Sequence, residues 1–271
     1  MVTLSGDVLR RYPRVSRYNS PYPAHDAGCA VDLYPEQNRA TSPVAGEVTE
    51  TRTVRCPEKP YAADHDHLIV VDIGDYLARM LHVDPAVEPG DRLAVGDDLG
   101  QMVRSGFFAP WVDNHVHLGF RTRDQNPVRA SGSLPLDLGL PVEPVAWDGG
   151  ATVLDVGETW ALLDAPAHPA PGEAFAGLAS DDGGVVDGGL PHYEQGYADG
   201  DAATVSLLGS VVGDRTGDRT VAWRDVTPTA NGAPIRGLSL WLGLDRLGAK
   251  LVCPGHDLSA GDDVTVGIRD A

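Results

Sequence analysis

The stretch HLIVVDIGDYLARMLHV, residues 67–83, indicates the fold class most directly. A β-branched apolar run is followed by an Ile-Gly-Asp turn and then by a second apolar run. Two apolar runs separated by a Gly-containing turn predict a β-hairpin. Outward from this hairpin, NHVHLGFRT at 114–122 indicates another strand. This part of the chain is therefore predicted to form an antiparallel sheet.

The rest of the chain has the same character, because short β-branched segments are interrupted by Gly, Pro and Asp about every 8–12 residues. Further strands are predicted in ATVLDV, TWALLDA, ATVSLLGSVVGD, RTVAWRDV, GLSLWLGL and DDVTVGI. The Pro-, Gly- and Ser-rich stretch 130–144 is interpreted as a link between two β units. We expect an all-β protein, with an antiparallel sheet or sandwich in residues 1–137 and a second, mostly β domain in residues 138–271.

The composition excludes some partners. The 271 residues carry a formal net charge of −18, which disfavours a nucleic-acid partner because phosphate binding needs basic patches. Abundant Asp with only two lysines, Lys59 and Lys250, indicates a halophilic cell with a very salty interior. An ordinary acidic protein from a GC-rich genome is the alternative. No apolar run approaches the length of a membrane span and the N-terminus lacks an apolar secretory core, so we expect a cytoplasmic protein with no membrane partner.

Two histidines, His115 and His117, alternate with apolar residues in the predicted strand 114–122. Residues i and i+2 of a strand point to the same face, so these imidazoles share a face. Neutral imidazole is a common zinc ligand, although two histidines on a solvated face would give the same pattern. A second H-x-H, at His65 and His67, lies among acidic residues and is interpreted as an exposed strand entrance. His168, His192 and His256 stand in Gly-, Pro- and Asp-rich loops and are expected to be exposed.

A possible complement to the H-x-H lies upstream, where His25, Asp26 and Asp32 stand in a Pro- and Gly-containing segment. A loop histidine and an aspartate, together with one imidazole from the strand, would supply three protein ligands. Catalytic zinc is typically held in this way, with the fourth position open to water. The pKa of such a water falls to about 7, which generates hydroxide near neutral pH.

An ordered set of motifs connects these residues. In chain order they are a His and an Asp (His25 and Asp32), a small-Pro-Val-Ala-Gly-x-Val turn (42–48), an aliphatic-His pair (Leu81-His82), a V-x-x-G-D-x-x-x-x-G-D-x-x-G segment (87–100), and the H-x-H of His115 and His117. The set resembles the lysostaphin/LytM-type zinc metallopeptidases over roughly residues 20–125.

The resemblance implies a small antiparallel β domain of the lysostaphin/LytM type (the duplicated hybrid motif), with the site in a groove across the sheet. It implies a zinc ion, Zn2+, held by His25, Asp32 and His117. The family's two further histidines, which act on the water and the scissile carbonyl, match His115 and His82. In such a scheme His115 would serve as general base, and His82 would donate a hydrogen bond to the developing oxyanion.

One spacing departs from the family pattern. The family usually places three residues between its first His and Asp, whereas six, Asp26 to Val31, intervene here. An insertion beside Gly28 is sterically easy. The alternatives are that Asp26 replaces the first ligand or that no residue does.

Three functions are compatible with the sequence. The first is a zinc-dependent metallopeptidase-like hydrolase, in which a metal-bound water attacks an amide bond of a peptide or peptide-like substrate. The second is a non-catalytic metal- or ligand-binding relative of the same fold. The third is a sugar-phosphotransfer-like domain, which can share this kind of β fold but has no need of Asp32 beside the histidine pair.

Overall fold

The computed structural model describes all of residues 1–271 and is almost entirely β. The chain divides into two compact units by its internal contacts. Unit 1 comprises Met1–Val15 and Gly28–Leu140, and unit 2 comprises Ser16–Ala27 and Pro141–Ala271. The predicted all-β, antiparallel class is confirmed. The one α-helix, Gly6–Leu9, has four residues, and no helix has the length and apolar character needed to cross a membrane.

The first half of the chain contains twelve strands, one α-helix and a 3₁₀ segment. They are β1 (Val2–Ser5), α1 (Gly6–Leu9), β2 (Arg14–Ser16), the 3₁₀ segment Pro23–Gly28, β3 (Ala30–Tyr34), β4 (Arg39–Thr41), β5 (Gly46–Arg55), β6 (His65–Asp72), β7 (Tyr76–Leu81), β8 (Val83–Pro85), β9 (Arg92–Leu93), β10 (Asp98–Met102), β11 (Val116–Thr122) and β12 (Leu136–Gly139).

The main sheet of unit 1 is antiparallel, with strand order β9-β5-β6-β7-β11-β3. The predicted hairpin 67–83 is present as β6 and β7, which pair with Leu68 opposite Leu81. Gly74 in its turn has φ 93°, a conformation that glycine adopts without steric cost. Strands β4, β10 and β8 form a smaller antiparallel sheet, and β1 pairs with β12 in parallel.

The pleat of the main sheet separates an apolar face from a polar one. The apolar face carries nine side chains that are at most 1% exposed: Val31, Leu33, Ile69, Val71, Ala78, Met80, Val116, Leu118 and Phe120. Burial of this set supplies the hydrophobic stabilisation of unit 1. The alternate residues, among them Asp32 on β3 and His117 on β11, lie on the other face. Asp32 and His117 are therefore carried by a sheet whose opposite face is packed.

Unit 2 is built from fifteen strands. They are β13 (Val142–Val145), β14 (Gly150–Gly157), β15 (Trp160–Leu163), β16 (Phe175–Ala179), β17 (Val185–Leu190), β18 (Gln195–Ala198), β19 (Thr204–Leu207), β20 (Ser210–Arg215), β21 (Thr220–Trp223), β22 (Val226–Ala230), β23 (Ala233–Pro234), β24 (Gly237–Leu240), β25 (Leu242–Gly243), β26 (Lys250–Val252) and β27 (Asp263–Asp270).

The pairings in unit 2 are antiparallel except that of β13 with β16. Its interior is one cluster of aliphatic side chains, which includes Leu163, Leu190, Val212, Leu238 and Leu251, each fully buried.

The prediction that His168, His192 and His256 are exposed is wrong, since all three are half-buried. His168 and His256 each accept a hydrogen bond at Nδ1 from the amide two residues later, and their Nε2–H groups donate to backbone carbonyls. These two imidazoles fasten loops in unit 2, a role that loop composition does not reveal.

Candidate metal centre

The register of two strands brings a carboxylate and an imidazole together. Strands β3 and β11 pair antiparallel with Asp32 directly opposite His117. Side chains of such cross-strand partners have their Cβ atoms only about 5 Å apart. Asp32 is 1% exposed and His117 is 5% exposed. Their Oδ1 and Nδ1 atoms lie 3.2 Å apart, so the sheet itself places both groups within reach of one ion.

His25 joins this pair. One ligand-capable atom from each of His25, Asp32 and His117 lies within 4.8 Å of the other two, and all three residues are buried. The Nδ1–H of His25 donates to the carbonyl oxygen of Arg17 at 2.8 Å, so Nε2 is the ring nitrogen that could coordinate an ion. Metal-binding histidines characteristically anchor their second nitrogen in this way. The three residues that the sequence nominated as ligands are thus brought together.

The longer spacing between His25 and Asp32 is taken up by a tight turn. The 3₁₀ segment Pro23–Gly28 ends in two residues with left-handed backbone, Ala27 with φ 52° and Gly28 with φ 68°. Glycine tolerates this conformation, and one such non-glycine residue costs about 1–2 kcal/mol. These residues lie between His25 and the start of β3 at Ala30.

His115 immediately precedes β11 and faces the same carboxylate as His117. Its Nδ1–H donates to the carbonyl oxygen of Asp113 at 2.9 Å, and its Nε2 lies 3.4 Å from Oδ1 of Asp32. Because a carbonyl oxygen only accepts, the neutral ring carries its proton on Nδ1 and its lone pair on Nε2. The imidazole is therefore oriented with its basic nitrogen toward the carboxylate of Asp32.

Aromatic side chains hold His115 in place. The ring of Phe108 lies 4.4 Å from the imidazole, centroid to centroid, and that of Tyr34 lies 5.1 Å away. The guanidinium of Arg14 lies 3.8 Å from the centroid of the Tyr34 ring and forms a 2.7 Å ion pair with Asp113. Arg14 thus contacts both Tyr34, whose tilted ring lies beside His115, and Asp113, whose carbonyl accepts the Nδ1–H of His115.

His82 completes the cluster from the end of β7. Its ring centroid lies 5.2 Å from that of His115 and 6.0 Å from that of His117. Its backbone has φ 71°, an unusual conformation for a residue with a Cβ. Strained backbone of this kind persists only where surrounding contacts fix it, and functional sites are a common place for it.

The contact that fixes His82 comes from Asp66, a residue that the sequence analysis did not identify. The carboxylate of Asp66 is fully buried. It accepts hydrogen bonds from Nδ1 of His82 at 2.6 Å, from the His82 amide at 3.1 Å, from Oγ of Ser105 at 2.6 Å and from the His67 amide at 2.7 Å. Burial by itself would raise the pKa of Asp66, but the His82 charge and these hydrogen bonds hold the pKa below its usual range.

A signal for Asp66 was available in the sequence. It lies between His65, which is exposed, and His67, which is half-buried. Since successive residues of a strand alternate, a residue between two outward histidines faces inward. A carboxylate facing inward requires hydrogen-bond donors, and His82 and Ser105 provide them.

Family models match both halves of the chain. The model described as the N-terminal domain of the domain of unknown function DUF8155 matches residues 3–138. The model described as the C-terminal domain of the same family matches residues 143–269. No curated protein matches the sequence.

Solved structures with some similarity include LytU and lysostaphin. LytU is 21% identical, over 38% of this chain and 67% of its own, with a TM-score of 0.27. The antimicrobial peptidase lysostaphin from Staphylococcus simulans is 12% identical, over 96% of both chains, with a TM-score of 0.29. A solution structure of lysostaphin is 14% identical, over 88% of this chain and 96% of its own, with a TM-score of 0.28. These values are low, so the functional inference rests on side-chain geometry.

Proposed function

The chain belongs to the DUF8155 family, whose N-terminal and C-terminal domains it contains in that order, and we propose that it is a zinc-dependent hydrolase that cleaves an amide bond in a peptide or peptide-like substrate. The observation that carries the proposal is the cross-strand pairing of Asp32 with His117, with His115 and His82 beside them.

The donor set fits zinc. Two imidazole nitrogens and one carboxylate oxygen are typical ligands of catalytic zinc, with bond lengths of about 2.0–2.2 Å. Two ligands at tetrahedral positions around such an ion lie about 3.3 Å apart. The distance of 3.2 Å between His117 Nδ1 and Asp32 Oδ1 matches this spacing. His25, with Nδ1 donated to a backbone carbonyl, would be the third ligand.

When bound, zinc would supply Lewis acidity that polarises an amide carbonyl and lowers the pKa of a water molecule toward about 7. The protein residues would do the rest. His115 would accept the proton of the attacking water at Nε2, because its Nδ1–H is held by the carbonyl of Asp113. It would then return this proton to the leaving amine.

His82 would act on the substrate carbonyl. With Nδ1–H donated to Asp66, His82 in its protonated form would present Nε2–H as a donor to the oxyanion that develops at the carbonyl. A protein that only binds metal has no evident need for two further oriented imidazoles, and this favours the hydrolase over the non-catalytic relative.

Metal analysis of the purified full chain, combined with a fluorescence-quenched peptide library, tests the proposal. We expect one zinc per wild-type chain, loss of that zinc in His117→Ala, and retention of the zinc with loss of hydrolysis in His115→Ala. His65→Ala is the matched control, because it removes an exposed histidine of the other H-x-H.

The outcomes separate the alternatives. Wild-type protein that remains zinc-free after incubation with zinc at neutral pH would rule out the metal site. Stoichiometric zinc with no cleavage of any library peptide would favour the non-catalytic relative. Loss of zinc in His115→Ala would contradict the role assigned to His115.

A further inference from the structure

Two arginines of unit 1 are buried on the polar face of the main sheet. Arg79 on β7 is 3% exposed and Arg121 on β11 is 1% exposed. In the register of these strands Arg79 is opposite Gly119 and Arg121 is opposite Leu77. Arg79 and Arg121 are therefore diagonal neighbours on one face, within reach of each other's long side chains.

Neither guanidinium is neutralised by a carboxylate. Arg79 Nε donates to the carbonyl oxygen of Pro127, and Arg121 Nη2 donates to the carbonyl oxygens of Arg129 and Ser131 at 3.0 and 2.9 Å. These acceptors are uncharged. The Nη1 atom of each arginine is buried without an acceptor.

The two charges therefore repel each other in a buried setting. Burial is the larger cause and the charge of Arg121 the smaller cause that together lower the pKa of Arg79 to about 10. Burying like charges without compensation is costly, so this arrangement calls for a negative counter-charge.

A third donor lies at the same place. The Oγ of Ser133 is buried without a hydrogen-bond partner. It lies 2.8 Å from the point that a Cβ on Gly119 would occupy. Gly119 is the residue opposite Arg79 and two positions before Arg121. Because Gly119 has no side chain, the hydroxyl of Ser133 can lie directly over the sheet at this position.

We propose that Arg79, Arg121 and Ser133 form a binding site for a small inorganic anion, chloride, over Gly119. Three unsatisfied donors, two of them charged, complement a species that only accepts hydrogen bonds. The near-complete burial of both arginines selects a compact ion over a carboxylate on a peptide, which would need an open path. Bound chloride would neutralise the guanidinium pair and fasten the segment 123–133, whose carbonyls cover the arginines, to the sheet. The proposal does not depend on the zinc chemistry.

Bromide is the probe, since it replaces chloride and scatters X-rays anomalously. Crystals of the full chain grown in sodium bromide should show an anomalous peak within hydrogen-bond distance of Arg79 Nη1, Arg121 Nη1 and Ser133 Oγ. In solution, the melting temperature should be higher in sodium chloride than in sodium gluconate at equal ionic strength, because only the halide binds the native state.

Two variants and one control test whether the difference in melting temperature between chloride and gluconate comes from the proposed site. Ser133→Ala removes one donor with little change in packing and should weaken anion affinity about tenfold. Arg79→Met should abolish the difference between chloride and gluconate. Arg92→Met is the control, because Arg92 is exposed and paired with Glu47, and it should keep that difference.

Either of two results would overturn the proposal. One is the absence of a bromide peak at the three donors. The other is a chloride-over-gluconate gain that is the same in wild type, Ser133→Ala and Arg79→Met, which would indicate general salt effects.

Discussion

At the scale of single residues, Asp66 determines both the backbone and the ring of His82. One carboxylate oxygen accepts from the His82 amide and the other from its Nδ1. The left-handed backbone of His82 costs about 1–2 kcal/mol, which these hydrogen bonds offset. Asp66 thereby acts as a positioning residue. It binds Nδ1 of His82, so that Nε2 is the nitrogen directed away from Asp66.

Replacing Asp66 with Asn tests this positioning. The amide can accept at only one oxygen and presents an NH₂ group where Asp66 accepts from His82 and Ser105. We expect Asp66→Asn to retain zinc, to lose peptide hydrolysis and to lose about 1–3 kcal/mol of unfolding free energy. Imidazole ¹⁵N chemical shifts of His82 should differ between wild type and Asp66→Asn, because the Nδ1 partner has changed. Asp64→Asn, at an exposed neighbour, is the control.

The same substitution has a predictable pH dependence. The pKa of Asp66 in the folded state lies below its ordinary value of 3.8. Its contribution to stability is therefore present above that value and is lost as the pH falls through the folded-state pKa. Urea unfolding of wild type and Asp66→Asn should give a stability difference that is constant near neutrality and shrinks in acid. A difference that grows in acid would contradict the depressed pKa.

At the scale of strands, the alternation of side chains between the two faces of a strand explains which features could be predicted from the sequence. The hairpin 67–83 and the shared face of His115 and His117 follow from local patterns alone. The pairing of Asp32 with His117 does not, because register between strands 85 residues apart is set by tertiary packing. Arg79 and Arg121 were missed for a related reason, since a charge alternating with apolar residues normally indicates a solvated face.

One element-scale prediction concerns Gly46 in the motif 42–48. A Cβ at this position would lie 2.3 Å from the backbone oxygen of Asp72, where β5 and β6 approach closely. Backbone cannot yield as a flexible side chain does, so Gly46→Ala should cost about 1–3 kcal/mol in unfolding free energy, measured by urea titration. Gly217→Ala is the control, because there a Cβ would meet only ordinary contacts. Equal stability of the two variants would show that the glycine is not required for strand approach.

At the scale of the whole molecule, the segment Ser16–Ala27 groups with Pro141–Ala271 by its contacts. Buried Asp187 accepts from Ser16 Oγ at 2.5 Å and from the Arg17 amide at 2.7 Å. Asn19 donates to Ser239 Oγ at 2.6 Å. Cleaving the chain before Pro141 would therefore separate Pro141–Ala271 from its hydrogen-bond partners in Ser16–Ala27.

A fragment of residues 141–271 should consequently fold poorly. Asp187 would lose these two hydrogen-bond donors, and losing a donor to a buried acceptor costs about 1–3 kcal/mol. We expect weak amide dispersion in ¹H–¹⁵N spectra of this fragment, and recovery when residues 16–27 are joined to it through a flexible linker. Native-like spectra from the bare fragment would show that the segment is dispensable.

We propose that His25, Asp32 and His117 hold one zinc ion, and anomalous diffraction at the zinc absorption edge would locate this ion. Crystals of the full chain grown with zinc should show one strong peak about 2.0–2.2 Å from a nitrogen of each histidine and an oxygen of Asp32. The peak should be absent just below the edge. A map with no peak among these three side chains, or with zinc only at exposed carboxylates, would rule out this ligand set.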